Sequence, residues 1–334
     1  TTMLNFLVIG NERYLAKVEA TLYDPNVITF PAGWRARCFA FWREFLVIGM
    51  QKGSTITAND MGRIYFWDGI APTFNFFIDV PEGGINAMLG TKGKLYVFAG
   101  YHGDLIVYQG GDTAEDLRRL PLIEDESYAE VYPGAMTMWG GLIHIGYAGA
   151  TDSTDIRQGV YSYGASNKNY SDSLSFDYPI STGTYTGTGL SIGAVTVVNK
   201  KLLISWKDNV SYGVDYVDRS NNLYPTGSIE FLIFDDGATY KEKTALQVAA
   251  NFVALNSGES IDVGFKVDRA SSYTKLGPVT TAGESVARIL PNPTGGRHKE
   301  FQVSIDLATT TTTSPKLLSV AVEKDLNAEE GRVG

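Results

Sequence analysis

The side chains able to do chemistry here are scattered carboxylates, three histidines and a single thiol. Glycoside hydrolysis needs two carboxylates facing each other across a sugar, and Asp60, Asp104, Asp215 and Asp236 are the candidates. Spacing does not make them converge, and turns carry aspartates for their own backbone hydrogen bonds; Asp60 with Gly62 reads as a hairpin turn. His102, His144 and His298 fall in three separate segments with no His-x-His or His-Glu-x-x-His spacing. His144 alternates within an apolar strand and reads as a core residue, whereas His102 and His298 sit in turns and read as solvated. Glu124-Asp125-Glu126, or Asp215 with Asp218, have the oxygen ligands that calcium takes, but each reads as a solvated loop. Cys38 is the only cysteine, so neither an internal disulfide nor a multi-cysteine metal site can form. Gly83-Gly84 and Gly110-Gly111 join strands to strands rather than opening a helix, which is not how a phosphate loop is built. The expectation is a chain with no catalytic residue, no cofactor and no metal, and hence not an enzyme.

The elements that would position any site are strands that meet at glycines. Leu46-Val-Ile-Gly49, followed by Gly62-Arg-Ile-Tyr-Phe-Trp-Asp-Gly69, is the clearest copy. Leu95 to Gly100 with Gly103 to Gly110, Leu142 to Gly146 with Gly159 to Gly164, and Leu202 to Trp206 with Gly213 to Val217 repeat it more loosely. A small residue precedes each copy (Ala36, Ala87, Ala135 and Ala194) at intervals of about fifty residues, near the period of propeller blades. The last interval is widened by residues 165–189, rich in Ser, Thr, Asn, Gly and Tyr, which read as an insertion. Phe74 to Val80, Leu174 to Tyr178 and Glu230 to Phe234 supply a fourth strand, and four short strands make a blade. Asp112 to Leu120 is either such a strand or a short helix capped by Asp112.

The fold class read from this is all-β, a propeller of about five blades followed by a small antiparallel β-sandwich. Residues 1–243 form the propeller, with blades near 34–84, 85–133, 134–189 and 190–243 and a partial blade at 1–33. An open ring leaves a sheet edge free to pair, so either Leu246 to Phe252 completes the partial blade or further blades precede Thr1 in a longer parent. The blade core is assigned to Leu46, Ile48, Tyr65, Trp67, Leu95, Val97, Tyr108, Leu142, Tyr163, Leu202 and Trp206, with Tyr65 and Trp67 packing between blades. From residue 244 the pattern changes to strict alternation: Ile261, Val263, Phe265 and Val267, then Phe301, Val303, Ile305 and Leu307, then Leu318, Val320 and Val322. This marks a sandwich over 244–325, and 326–334 is a polar, flexible tail.

Composition bounds the partners. The net charge of −9 argues against nucleic acid, whose phosphates need clustered cations, and no apolar run reaches membrane-spanning length. The Trp34-Arg-Ala-Arg37 to Trp42-Arg43 mixture of cations and rings falls on a strand of the first full blade, where burial of the aromatics is the simpler reading. Tyrosines and tryptophans can also stack on sugars, which keeps open a carbohydrate-binding or carbohydrate-active propeller of a host-facing spike or secreted enzyme. A cellular scaffold binding peptides is a third reading.

The Leu-Val-Ile-Gly and Gly-Arg-Ile-Tyr-Phe-Trp-Asp-Gly repeat resembles those of β-propeller virion proteins of tailed bacteriophages. Ile261-Asp-Val-Gly-Phe-Lys-Val-Asp-Arg269, Ser272 to Gly277, Phe301 to Leu307 and Thr313 to Val320 are similar to the domain that often follows such propellers. The resemblance implies a non-enzymatic structural protein of the virion, in the tail, neck or capsid surface, present in several copies. Its partners would be other virion proteins and copies of itself, with a host-surface glycan as a further one. Tyr170, Tyr185, Thr311 and Thr313 are the candidate partner contacts.

Overall fold

The structure, a computed structural model, describes residues 6–57, 60–119, 129–149, 159–165, 171–179, 190–208, 211–217, 226–237, 240–291 and 297–325. Every regular element among them is a strand. The chain divides into two units, Thr1–Asp218 and Arg219–Gly334. Tyr170, Tyr185, most of the expected insertion at 165–189 and the tail 326–334 lie outside the described residues.

Alternating apolar residues and tight turns fold the first unit into consecutive antiparallel meanders. β1 (Leu7–Asn11), β2 (Tyr14–Val18) and β3 (Tyr23–Thr29) form a first sheet. β4 (Trp34–Trp42), β5 (Phe45–Lys52), β6 (Gly62–Trp67) and β7 (Phe76–Val80) form a second. The third comprises β8 (Ile85–Gly90), β9 (Leu95–Ala99), β10 (Asp104–Tyr108) and β11 (Glu115–Arg119), so the stretch after Asp112 is a fourth strand and not a helix. In the fourth, β12 (Ala129–Glu130) and β13 (Met136–Trp139) both pair with β14 (Leu142–Gly149), which continues to β15 (Gly159–Gly164) and β16 (Ser173–Pro179). β17 (Leu190–Val198), β18 (Lys201–Asp208) and β19 (Ser211–Val217) make the fifth.

Successive sheets pack face to face, and the glycines show where. A Cβ on Gly49 would lie 2.5 Å from Cys38 Sγ and 2.7 Å from Ile85 Cγ2 of the next sheet; one on Gly146 would lie 2.3 Å from Ile192 Cγ2 of the next. Gly10 of the first sheet meets Phe39 and Ala36 of the second in the same way. Leu15, Ile28 and Phe30 therefore share a core with Leu46, Ile48, Met50, Tyr65 and Trp67. The Tyr65 ring lies tilted 4.8 Å from that of Phe30, and the Trp67 indole N–H donates to Ala71 O at 2.8 Å. Of the residues assigned to blade cores, Leu95, Val97, Tyr108, Tyr163 and Leu202 are also buried, whereas Leu142 and Trp206 are half-buried.

In the second unit, β20 (Thr226–Glu230), β22 (Glu259–Val267), β23 (Thr274–Lys275) and β26 (Phe301–Thr309) form one sheet. β21 (Lys243–Phe252), β24 (Val286–Ile289), β25 (Arg297–His298) and β27 (Leu317–Asp325) form the other. Ile261, Val263, Phe265, Phe301, Val303 and Ile305 from the first meet Ala245, Val248, Ala250 and Phe252 from the second in one core.

Five expectations are corrected. The division falls before residue 219, not at 243/244, because Thr226–Glu230 pairs with Ser304–Ala308 of β26, and Phe234 bridges Phe301. The Glu230 to Phe234 stretch is thus not the fourth strand of the fifth sheet. Leu246 to Phe252 does not close the ring, since β21 pairs with β24, β25 and β27. Bulges at Ala245/Gln247 and at Asn251/Phe252 break the alternation there, leaving Leu246 45% and Leu318 60% exposed. His298 is buried rather than solvated, its ring 4.8 Å from that of Phe301.

Candidate ligand cleft

A cleft of about 380 Å³ opens in the first unit where the first strands of its sheets begin. Arg35, Ala36 and Arg37 enter it from β4, Gln51 from β5, Ser54 from the loop after β5, Glu12 from the turn joining β1 to β2, and Tyr132 and Pro133 from the approach to β13. The local sequence explains the placement. Glu12 takes a positive φ of 53° at the tip of its turn, and its carbonyl accepts the Ala36 N–H at 2.9 Å, which ties the turn to β4.

β4 carries a bulge, because Ala36 faces Met50 while Cys38 faces Gly49, and the inserted residue is Arg37. A bulge re-aims a side chain, and here the Arg37 guanidinium donates from Nη1 to Gln51 Oε1 at 3.1 Å. Gln51 is 5% exposed and donates from Nε2 to Gly53 O at 3.3 Å, so both ends of its amide are held. Arg37 Nε is buried with no hydrogen-bond partner among the described residues. Arg35 Nη1 lies 3.3 Å from Glu12 Oε1. The same bulge recurs in β8 at Asn86 and in β17 at Gly193. Asn86, fully buried, donates from Nδ2 to Gly100 O at 3.0 Å. Once these bulges are counted, Cys38, not Ala36, stands in register with Ala87 and Ala194.

Two guanidiniums and one carboxylate make the cleft locally positive in a chain of net charge −9. Guanidinium forks recognise planar anions with two parallel hydrogen bonds, and amide and hydroxyl groups beside them suit a polyhydroxylated ligand.

The residues considered for catalysis lie elsewhere, each with local work. Asp60 Oδ2 accepts from Thr57 Oγ1 at 2.6 Å, and Asp215 Oδ1 accepts from the Trp206 indole at 2.9 Å. Asp104 opens β10, and Asp236, in the second unit, pairs with Lys324 Nζ at 2.6 Å. His144 is fully buried, with Nε2 3.2 Å from Trp139 O. Burial pushes the Cys38 thiol up to about 12, against a smaller lowering by Arg37, which leaves it a neutral core group. Gly189-Leu-Ser-Ile-Gly193 has the spacing of a nucleophile elbow, but Ser191 lies within β17 opposite Lys207 and not on the strand-to-helix turn that such an elbow needs. Glu124 to Glu126 and Asp218 fall outside the described residues; no group of potential metal ligands occurs among the described ones, and no helix there is long and apolar enough to cross a membrane.

The second unit has a cavity of about 320 Å³ beside the threonine run, lined in part by Asn256, Glu259, Thr313 and Lys316. Glu259 is 2% exposed, and its oxygens accept from Asn256 N at 2.8 Å and Nδ2 at 3.1 Å. These bonds, with Thr313 and the Lys316 charge, hold its carboxyl below the ordinary range despite burial. Thr309, Thr311 and Thr313 form a hydroxyl ladder, with Oγ1 separations of 3.2 and 3.0 Å, and Thr311 and Thr313 are exposed.

Sequence reasoning singled out Trp34 to Arg37 for its mixture of rings and cations but not Glu12 or Gln51. The extra residue in β4 is what would have pointed to Arg37, and it becomes visible only when strands are paired.

No family model and no curated protein matches the chain. Among solved structures, it is similar to the extracellular domain of a putative hybrid two-component system from B. thetaiotaomicron, at 17% identity and TM-score 0.41, covering 86% of this chain and 39% of that one. It is similar to a Bombyx mori GH32 β-fructofuranosidase at 12% identity and TM-score 0.33, over 95% of this chain and 84% of that one. A glycoside hydrolase family 43 arabinoxylan arabinofuranohydrolase from Bacillus subtilis matches at 9% identity and TM-score 0.27, over 96% and 76%. The chain thus spans about two fifths of the length of that extracellular domain. The expectation that the chain is not an enzyme is corrected against these matches, since glycoside hydrolases are among them. Likeness at these scores carries no residue role and no substrate.

Proposed function

We propose that the first unit is a carbohydrate-binding or carbohydrate-active propeller whose cleft takes a sugar bearing a carboxylate. The observation that carries this reading is the excess of guanidinium over carboxylate at Arg35, Arg37 and Glu12, set beside the held amide of Gln51. Arg37 and Gln51 supply directional hydrogen bonds, and the buried Arg37 Nε is a donor that a ligand oxygen would satisfy. An array of acidic and neutral oligosaccharides, run with a hydrolysis assay on the same set, tests it. Uronate-containing glycans should be retained, and Arg37→Ala should weaken retention roughly ten- to a hundredfold, the worth of one charge-assisted hydrogen bond. Silence in both arms, or equal retention by Arg37→Ala, removes the proposal.

A second reading follows the resemblance and places the chain in a phage particle among copies of itself, with Thr311 and Thr313 at subunit contacts. The apolar faces of the first and fifth sheets, exposed at Leu7, Ile9, Val214 and Tyr216, favour it. A particle reconstruction that shows the chain without symmetric neighbours would remove it.

A further inference from the structure

Each inner sheet of the first unit covers the one before it and is covered by the one after it, but among the described residues the first and fifth sheets each keep one face open. Strand register identifies those faces. In the second sheet Gly49 pairs with Ile64, and in the first Gly10 pairs with Leu15. Leu7 and Ile9 therefore occupy the places of Leu46 and Ile48. The latter are 3% and 0% exposed against the first sheet, whereas Leu7 is 60% and Ile9 44% exposed. Tyr23, opposite Val18 on the same face, is 63% exposed.

At the other end Ser205 pairs with Val214 and Leu203 with Tyr216, as Gly49 does with Ile64 and Val47 with Phe66. Ile64 and Phe66 are fully buried by the third sheet, but Val214 is 62% and Tyr216 56% exposed, and Tyr212 beside them 83%. Open apolar faces of this kind mark association surfaces.

We infer that the occupant of each face is a second copy of this chain, joined head to tail, with Tyr212, Val214 and Tyr216 of one copy against Leu7, Ile9 and Tyr23 of the other. The contact continues an interface the chain already builds between its own sheets. The face of the fifth sheet is the kind that the next sheet covers, and the face of the first is the kind that covers a preceding one. Neither face matches itself, so the contact is heterologous, and such contacts build rings where the rotation closes and open filaments where it does not.

The experiment is sedimentation velocity on the full chain, with Tyr216→Asp as one variant and Ile9→Asp as the other. Both positions are exposed, so each variant should keep the wild-type circular dichroism and, in dilute solution where copies are apart, nearly the wild-type unfolding transition. Wild type should sediment as an oligomer, held equally well at high salt because the surfaces are apolar, and each variant alone should lose most of that mass. Mixing the two should restore a pair, because each retains the face the other lacks. A wild type that stays monomeric at every concentration overturns the inference. So does a mixture that stays monomeric, or an Ile9→Cys, Tyr216→Cys chain on a Cys38→Ala background that cross-links within itself, which would show the ring closing within one chain.

Discussion

In the second sheet Val47, Gly49, Ile64 and Phe66 form a face with almost no exposure, and at the same register in the fifth sheet stand Leu203, Ser205, Val214 and Tyr216, half-buried or exposed. The backbones are equivalent, so the difference lies in what lies on top. Where the third sheet presses down on the second, the central position is glycine, because any Cβ on Gly49 would enter Cys38 and Ile85; in the third sheet the same place is filled by Phe98, fully buried against the fourth. On the fifth sheet, whose matching face no described sheet covers, a serine stands there, and its hydroxyl accepts the Ala194 N–H at 2.7 Å. Packing, and not strand propensity, decides the side chain at that place.

The largest effect should come from the covered side of the comparison. Trp67 is 1% exposed, its indole N–H bonded to Ala71 O and its ring 6.0 Å from Phe6, which leads into the first sheet. Trp67→Ala removes that contact and leaves a cavity, so urea unfolding should show a loss of about 3–5 kcal/mol. A loss below about 1 kcal/mol would mean that the first two sheets are not one packed body.

The next effect is the glycine itself. Gly49→Ser puts the fifth sheet's residue into the second, and overpacking of this kind costs about 1–3 kcal/mol. A neutral result would break the claim that the covering sheet dictates the choice.

Cys38 sharpens the same contrast through reactivity. Its thiol is 1% exposed, directly under Gly49, and is kept neutral by burial up to about 12. A thiol reagent should therefore modify it only through opening of the fold, orders of magnitude more slowly than a cysteine placed at Val214. As pH rises through the ordinary thiol range, the unfolded chain ionises Cys38 while the folded one does not. This group's contribution to stability is complete below that range and falls as pH climbs from there toward about 12. Equal labelling rates at the two positions would show that the second and third sheets do not seal this face.

Much of this architecture was legible in the sequence. The Leu-Val-Ile-Gly spacing put boundaries near 34, 85, 134 and 190, and the sheets begin at Trp34, Ile85, Ala129 with Met136, and Leu190. The alternation of Ile261 to Val267 found a sandwich strand because its hydrophobic face is continuous. What escaped was set by pairing between distant segments. Thr226–Glu230 has every residue exposed, so no alternation announces that β26 takes it as an edge. The bulges that turn Leu246 and Leu318 outward, and the one that brings Arg37 to Gln51, insert single residues that period counting passes over. The cleft was illegible for the same reason, since Glu12, Arg37 and Tyr132 belong to three different sheets or their approaches and meet only after folding.

The smallest effect is the one on which the comparison rests. Tyr216 has the place of Phe66, whose ring stacks 4.3 Å from Phe76 and is fully buried. Among the described residues the Lys201 ammonium lies over Tyr216, at 4.5 Å from the ring, a contact worth about 0.5–1 kcal/mol at an exposed site. Tyr216→Ala, measured in dilute solution where copies are apart, should therefore change unfolding stability by no more than about 1 kcal/mol. At high concentration the same substitution should lower the apparent stability further, because association stabilises the folded state by mass action. A loss near 3 kcal/mol in the dilute limit would show that this face is covered within a single chain, and the two sheets would then no longer differ.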